Sequence, residues 1–159
     1  MTRLIALVAL LGIAPAGAMA NPTIVAADLE TGRVVLCRSA AEGMTLAYTH
    51  SMYGGEVREE FVAGRDGRLR RLAMTTANAA AAEYYAYDAD VVRDGGRYRV
   101  DVPVQEFAEV VVRVDRVGAH RLLVGERTID LVAVAGEGHR VALEVRSVPF
   151  AARLAPGGC

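Results

Sequence analysis

The chain has 159 residues and a formal net charge of −1, so no whole-molecule field draws it to nucleic acid or to an anionic membrane. All 18 basic residues are arginine, beside abundant alanine, a compositional bias rather than a built anion-recognition face. Two cysteines, Cys37 and Cys159, exclude a disulfide-dense scaffold and a cysteine-rich metal fold.

In chain order, the first twenty residues read as a leader. Arg3 precedes an apolar run over 4–14, Pro15 and Gly17 break it, and Ala18-Met19-Ala20 is a small-x-small site. That is the pattern of a cleavable export signal, with cleavage expected after Ala20. The run falls short of the roughly 20 apolar residues a membrane-spanning helix needs. Residues 21–159 amount to one ordinary domain, with 151–159 a small, Gly/Pro-rich tail.

Strand follows strand after that. Alternating or β-branched segments lie at 23–27, 33–38, 45–51, 56–63, 69–76, 97–102, 109–115, 120–124, 128–134 and 140–145. Gly64-Arg65-Asp66-Gly67 and Arg93-Asp94-Gly95-Gly96 are turns, and isolated glycines separate the rest. Short strands at this spacing indicate an all-β fold, a small antiparallel β-sandwich or partly open barrel. Segment 109–115 is apolar on both faces, which suggests a central strand. The alanine-rich segment 77–85 is the exception, one short helix or a loop across the end of the domain. The expected domain therefore spans 21–150.

An exported chain meets an oxidising compartment, so Cys37 and Cys159 are free to pair; a buried Cys37 thiol and an unpaired Cys159 are the other readings.

The stretch from Leu46 to Phe61 places a histidine and a glutamate among apolar positions. If Met52-Tyr53-Gly54-Gly55 is the hairpin loop, Ser51 pairs with Glu56, His50 faces Val57, and Tyr48 faces Glu59. His50 and Glu59 are then diagonal neighbours on one face. A buried carboxylate and a buried imidazole each need a partner. The two would form a structural pair, or they would line a pocket for a ligand or partner segment. Ser51 points away from His50 on a strand, so the two make no nucleophile–base pair, and no Gly-x-Ser-x-Gly elbow is present. The three histidines, His50, His120 and His139, show no metal-binding spacing. Arg68, Arg70 and Arg71 read as a solvated basic face.

Two blocks carry a resemblance. The first is Tyr48-x-His50-Ser51, a short loop, then Val57-x-Glu59. The second is Val110 to Arg113, then His120-Arg121-Leu122-Leu123-Val124-Gly125. The pattern is similar to the DUF1850 family of small exported bacterial proteins, over about 45–131. It departs from the family where Met52-Tyr53-Gly54-Gly55-Glu56 replaces a proline-containing loop. It departs again at Asn78-Ala79-Ala80-Ala81-Ala82, in place of a Gly-Ala-Gly cluster. The resemblance implies a periplasmic accessory or binding subunit of a TAXI-type tripartite ATP-independent periplasmic (TRAP) transporter. The partner would be its permease or its solute receptor. The candidate binding residues are Tyr48, His50, Ser51, Glu59 and His120, and the absence of catalytic and metal-binding motifs leads to an expectation of no catalytic residue, no resident metal and no cofactor. The competing class is a stand-alone periplasmic protein built around His50 and Glu59, with His120, that binds a small ligand or metal or, as a lesser alternative, acts as an enzyme.

Overall fold

The computed structural model describes residues 20–64, 66–86, 89–149 and 159. Residues 1–19 of the expected leader, and the tail apart from Cys159, lie outside the described residues. Among the described residues twelve strands form two antiparallel sheets. The smaller sheet runs β2 (Val34–Ser39), β1 (Ala20–Asp28), β12 (Arg140–Pro149), β9 (Glu109–Arg113). The larger runs β11 (Arg127–Asp130), β10 (Arg121–Val124), β3 (Met44–Thr49), β4 (Glu56–Ala63), β5 (Leu69–Thr76), β7 (Arg97–Val100), β6 (Val91–Asp94), and β8 (Gln105–Phe107) also pairs with β5. Among the described residues the two sheets form no closed barrel, in keeping with the expected all-β sandwich.

The main core lies between the sheets. Ile24 and Leu143 from the small sheet meet Leu46, Phe61, Leu69 and Leu122 from the large one. Each fully enclosed side chain of this size contributes roughly 1.5–3 kcal/mol. A second, smaller core forms where α1 (Ala79–Ala86) packs on the large sheet: Ala82 and Ala86 lie on Val57, Met74 and Val100. Asn78 starts this helix by accepting the Ala80 N–H at 2.8 Å, and its own amide donates to the Tyr53 carbonyl at 2.7 Å. One residue thus caps the helix and ties it to the β3–β4 loop. Tyr48 touches both cores, so the functional question falls at their seam.

Several expectations are corrected. β3 ends at Thr49 rather than Ser51, because the backbone from His50 to Gly55 closes a loop of its own. His50 N–H donates to Gly55 O, and Gly54 N–H donates to His50 O. Gly54 and Gly55 hold positive φ angles of 65° and 76° there, a conformation that favours glycine. The strand expected over 128–134 is a strand only to Asp130. Leu131–Ala135 is a helical turn, α2, because the Asp130 carboxylate accepts the Ala133 N–H. Segment 109–115 is an edge strand, not a central one. Among the described residues β9 pairs only with β12, and its outward-facing Val111 is 46% exposed. Short strands β6 and β8 and a 3-10 turn over Ala40–Glu42 went unforeseen. The Cys37 and Cys159 sulfurs are bonded, which ties the C-terminal residue to β2.

Candidate functional site

Strand alternation puts Leu46, Tyr48, Val57 and Glu59 on the inner face of the large sheet. The register differs from the expected one. Thr49 pairs with Glu56, Tyr48 with Val57 and Leu46 with Glu59, a slip of two residues. A slip of two preserves the faces, so Tyr48 and Glu59 stay on one side. It removes the His50–Glu59 pairing altogether.

Glu59 finds other partners. The Tyr48 hydroxyl donates to its Oε1 at 2.9 Å, and Arg71 Nη1 reaches its Oε2 at 3.0 Å. The Glu59 and Arg71 side chains keep only 14% and 16% exposure. Arg71 is therefore not part of a solvated basic face. The cause is a bulge: Glu60 pairs with Ala73, but Phe61 pairs with Arg71, so Leu72 is an extra residue on β5. The bulge turns Arg71 inward and leaves Leu72 exposed. Arg71 Nη2 also donates to Gln105 Oε1 at 2.6 Å.

Tyr85 from α1 closes the network. Its hydroxyl lies 3.0 Å from that of Tyr48. Burial holds the Tyr48 hydroxyl far above the ordinary tyrosine range, and the neighbouring Glu59 charge adds to the effect. Burial also raises Tyr85, with the Glu59 charge assisting and the Tyr48 contact opposing. Both phenols remain protonated, which suits donors and acceptors in a chain of hydrogen bonds.

His50, 7% exposed, serves its own loop. Its Nδ1 accepts the N–H groups of Met52 and Tyr53, each at 3.2 Å. A nitrogen that accepts twice carries no proton, so the proton sits on Nε2. Its ring packs against Tyr53, Tyr84 and Tyr85 at centroid distances of 5.1–5.4 Å.

His120 lies just before β10 and stacks on Tyr48, with centroids 5.8 Å apart. Burial lowers its pKa, against the pull of Asp115, so its neutral form is favoured. Among the described residues its Nδ1 is buried without a hydrogen-bond partner. Gly118 makes room for this ring: a Cβ there would sit 2.2 Å from His120 Cε1.

Tyr48, His50, Ser51, Tyr85 and His120 line one open cleft of about 420 Å³, with Arg113 and Asp115 also on its wall. Glu59 lies behind Tyr48, in an adjoining groove of about 290 Å³ that Tyr48, Arg113 and His120 share. Four of the expected binding residues thus meet in the cleft, and the fifth, Glu59, braces it from beneath. Sequence reasoning missed Arg71 and Tyr85. Tyr85 was signalled only by a tyrosine on the expected helix, and Arg71 was grouped with Arg68 and Arg70 as a solvated basic face.

The family described as Domain of unknown function (DUF1850) matches residues 44–131. The chain belongs to the DUF1850 family. The matched block runs from β3 into the start of α2 and contains every cleft residue named above. Strands β1, β2 and β12 of the small sheet fall outside it. Comparison with curated proteins and with solved structures found no match.

The metal reading of His50, Glu59 and His120 finds no support in their surroundings, since Nδ1 of His50 and both Glu59 oxygens are already engaged. Among the described residues the one set of three ligand-type side chains with donor atoms within 4.8 Å is Asp28, Glu30 and His139, beyond the DUF1850 block. These are also occupied. Asp28 accepts from Thr31 and the Glu30 N–H and contacts His139 Nδ1, while Glu30 pairs with Arg140. The set stitches the β1–β2 turn to the start of β12.

Proposed function

We propose that this DUF1850 protein is an exported, periplasmic binding module that acts as an accessory subunit of a TAXI-type TRAP transport system. In this reading it seats a small polar solute, or a segment of the permease or receptor, in the cleft. The observation that carries it is the convergence of Tyr48, His50, Ser51, Tyr85 and His120 on one open cleft. The volume suits a small ligand. The chemistry suits recognition: the His50 Nε2 proton, the Ser51 and Tyr85 hydroxyls and a neutral imidazole offer hydrogen bonds of both senses. The floor is rigid, because Tyr48, Glu59, Arg71 and Tyr85 hold one another in place, and a pre-formed site loses less entropy on binding. The transport context rests on the resemblance of the family to TRAP companions and on the leader-like N-terminus.

Affinity capture from detergent-solubilised envelope, followed by mass spectrometry, tests it. Recovery of a TRAP permease or solute receptor with the folded protein, and its loss with His120→Asn, is the expected result. A blank with folded bait, or recovery indifferent to cleft substitutions, refutes the accessory role.

A further inference from the structure

The edge strand β9 reads Glu109-Val110-Val111-Val112-Arg113. It is exposed, unpaired on one side among the described residues, and self-complementary. We propose that two copies of this chain associate through β9, antiparallel about a two-fold axis at Val111, joining their small sheets into one.

The backbone fixes the direction of pairing. Val114 N–H donates to His139 O, and Val114 O accepts from Gly138 N–H, so Val114 points its peptide groups toward β12. Period-two alternation then aims those of Val110 and Val112 the same way. The N–H and C=O groups of Glu109, Val111 and Arg113 face the open edge. An unpaired row of this kind is a template for another strand. In a symmetric pair, Val111 meets Val111 of the second copy and exchanges two hydrogen bonds with it. Glu109 then meets Arg113 of the second copy, and Arg113 meets its Glu109. Val110 and Val112 meet on the inner face.

The charges supply the reason for choosing a second copy. Inside its own sheet Glu109 sits opposite Glu144, and Arg113 sits opposite Arg140. Like charges directly across a ladder are unfavourable. No ion pair to either end of β9 offsets them among the described residues; Glu144 pairs with Arg146 and Arg140 with Glu30. Self-pairing places an opposite charge on the free side of both ends at once. The two end strands of the large sheet do not offer this. β11 has Arg127 and Asp130 at its ends, but a two-fold pairing of four residues would oppose side chains of opposite faces, and Asp130 already caps α2. β6, Val91–Asp94, has no such symmetry.

Sedimentation velocity of the purified protein over a concentration series tests the proposal. The expected result is a monomer–dimer equilibrium. Val111→Pro removes an N–H that β12 does not use and should weaken it by at least roughly tenfold. Glu109→Arg should do the same by setting a like-charged pair at each end of the shared ladder. The swapped double variant Glu109→Arg, Arg113→Glu should restore it. Circular dichroism of each variant confirms the fold, and the charge pair stands independently if the proline variant does not fold. A protein that stays monomeric throughout, a dimer indifferent to Glu109→Arg, or a swap that fails to restore association overturns the proposal.

Discussion

Replacing Tyr48 by phenylalanine removes one oxygen and keeps the ring on His120. The lost hydroxyl donates to Glu59 Oε1 at 2.9 Å and lies 3.0 Å from Tyr85. A hydrogen bond to a charged group contributes about 1.5–3 kcal/mol. Arg71 still holds the other Glu59 oxygen, which moderates the loss, so about 2 kcal/mol is expected, a fall in Tm of roughly 6–10 °C for a domain of this size. A double-mutant cycle sharpens the test. Tyr48→Phe combined with Glu59→Gln should show coupling of about 1 kcal/mol or more. His50→Ala combined with Glu59→Gln should show less than about 0.5 kcal/mol, because the two side chains do not share a hydrogen bond. The chain has no tryptophan, so urea unfolding is followed by far-ultraviolet circular dichroism. Strong His50–Glu59 coupling with additive Tyr48 and Glu59 effects would restore the pairing read from sequence and refute the register described above.

Three further perturbations follow from the same geometry. His120 has a pKa lowered by burial. The unfolded chain therefore binds its proton more readily, and stability is full above the unfolded value of about 6.5 and is lost as pH falls below it toward the folded pKa. His120→Asn should flatten the stability–pH curve in that window, and an unchanged slope would show that His120 is not its source. Gly118→Ala should displace the His120 ring, given the 2.2 Å approach of a Cβ, with a cost of about 1–3 kcal/mol; an unshifted His120 imidazole resonance would contradict it. Cys37→Ser with Cys159→Ser opens a loop of 122 residues, worth ~5 kcal/mol on a chain-entropy model, and urea titration against the oxidised protein gives the actual figure. Equal midpoints would mean the bond contributes nothing to the unfolded-state constraint.

How much of this was legible depends on what local pattern encodes. Alternation and turn glycines identified most of the strands, because both are properties of neighbouring residues. The alanines of 77–85 pointed to α1 for the same reason. Tyr48 and Glu59 on one face also followed, since a slip of two residues leaves faces unchanged. The partner of Glu59 did not follow, because it depends on the exact loop length, and the backbone of His50 to Gly55 takes up two more residues than the four-residue loop expected. Arg71 shows the harder limit. Its inward turn is made by one extra residue in β5 opposite β4, and nothing in Leu69-Arg70-Arg71-Leu72 announces a bulge. The edge position of β9 was misread for a related reason: apolar residues on both faces signal burial in a central strand, yet here the outer valine is exposed.

These misreadings meet at one place. The register slip, the bulge and the unforeseen role of α1 all act on the seam between the two cores, where Glu59 is held mainly by protein partners. An ordinary β-sandwich would fill that seam with a leucine. Here the bulge delivers a guanidinium from one side, β3 delivers a phenol from another, and α1 delivers a second phenol from above. A buried ion pair of this kind is weak evidence for stability, because apolar residues of similar volume often serve as well. Its value lies in fixing Tyr48, whose ring face carries His120 and which lines the cleft. Replacing Glu59 and Arg71 together by leucine should therefore retain the fold while loosening Tyr48 and Tyr85. If partner capture survives that double substitution, the polar seam is structural only, and the cleft does not depend on it.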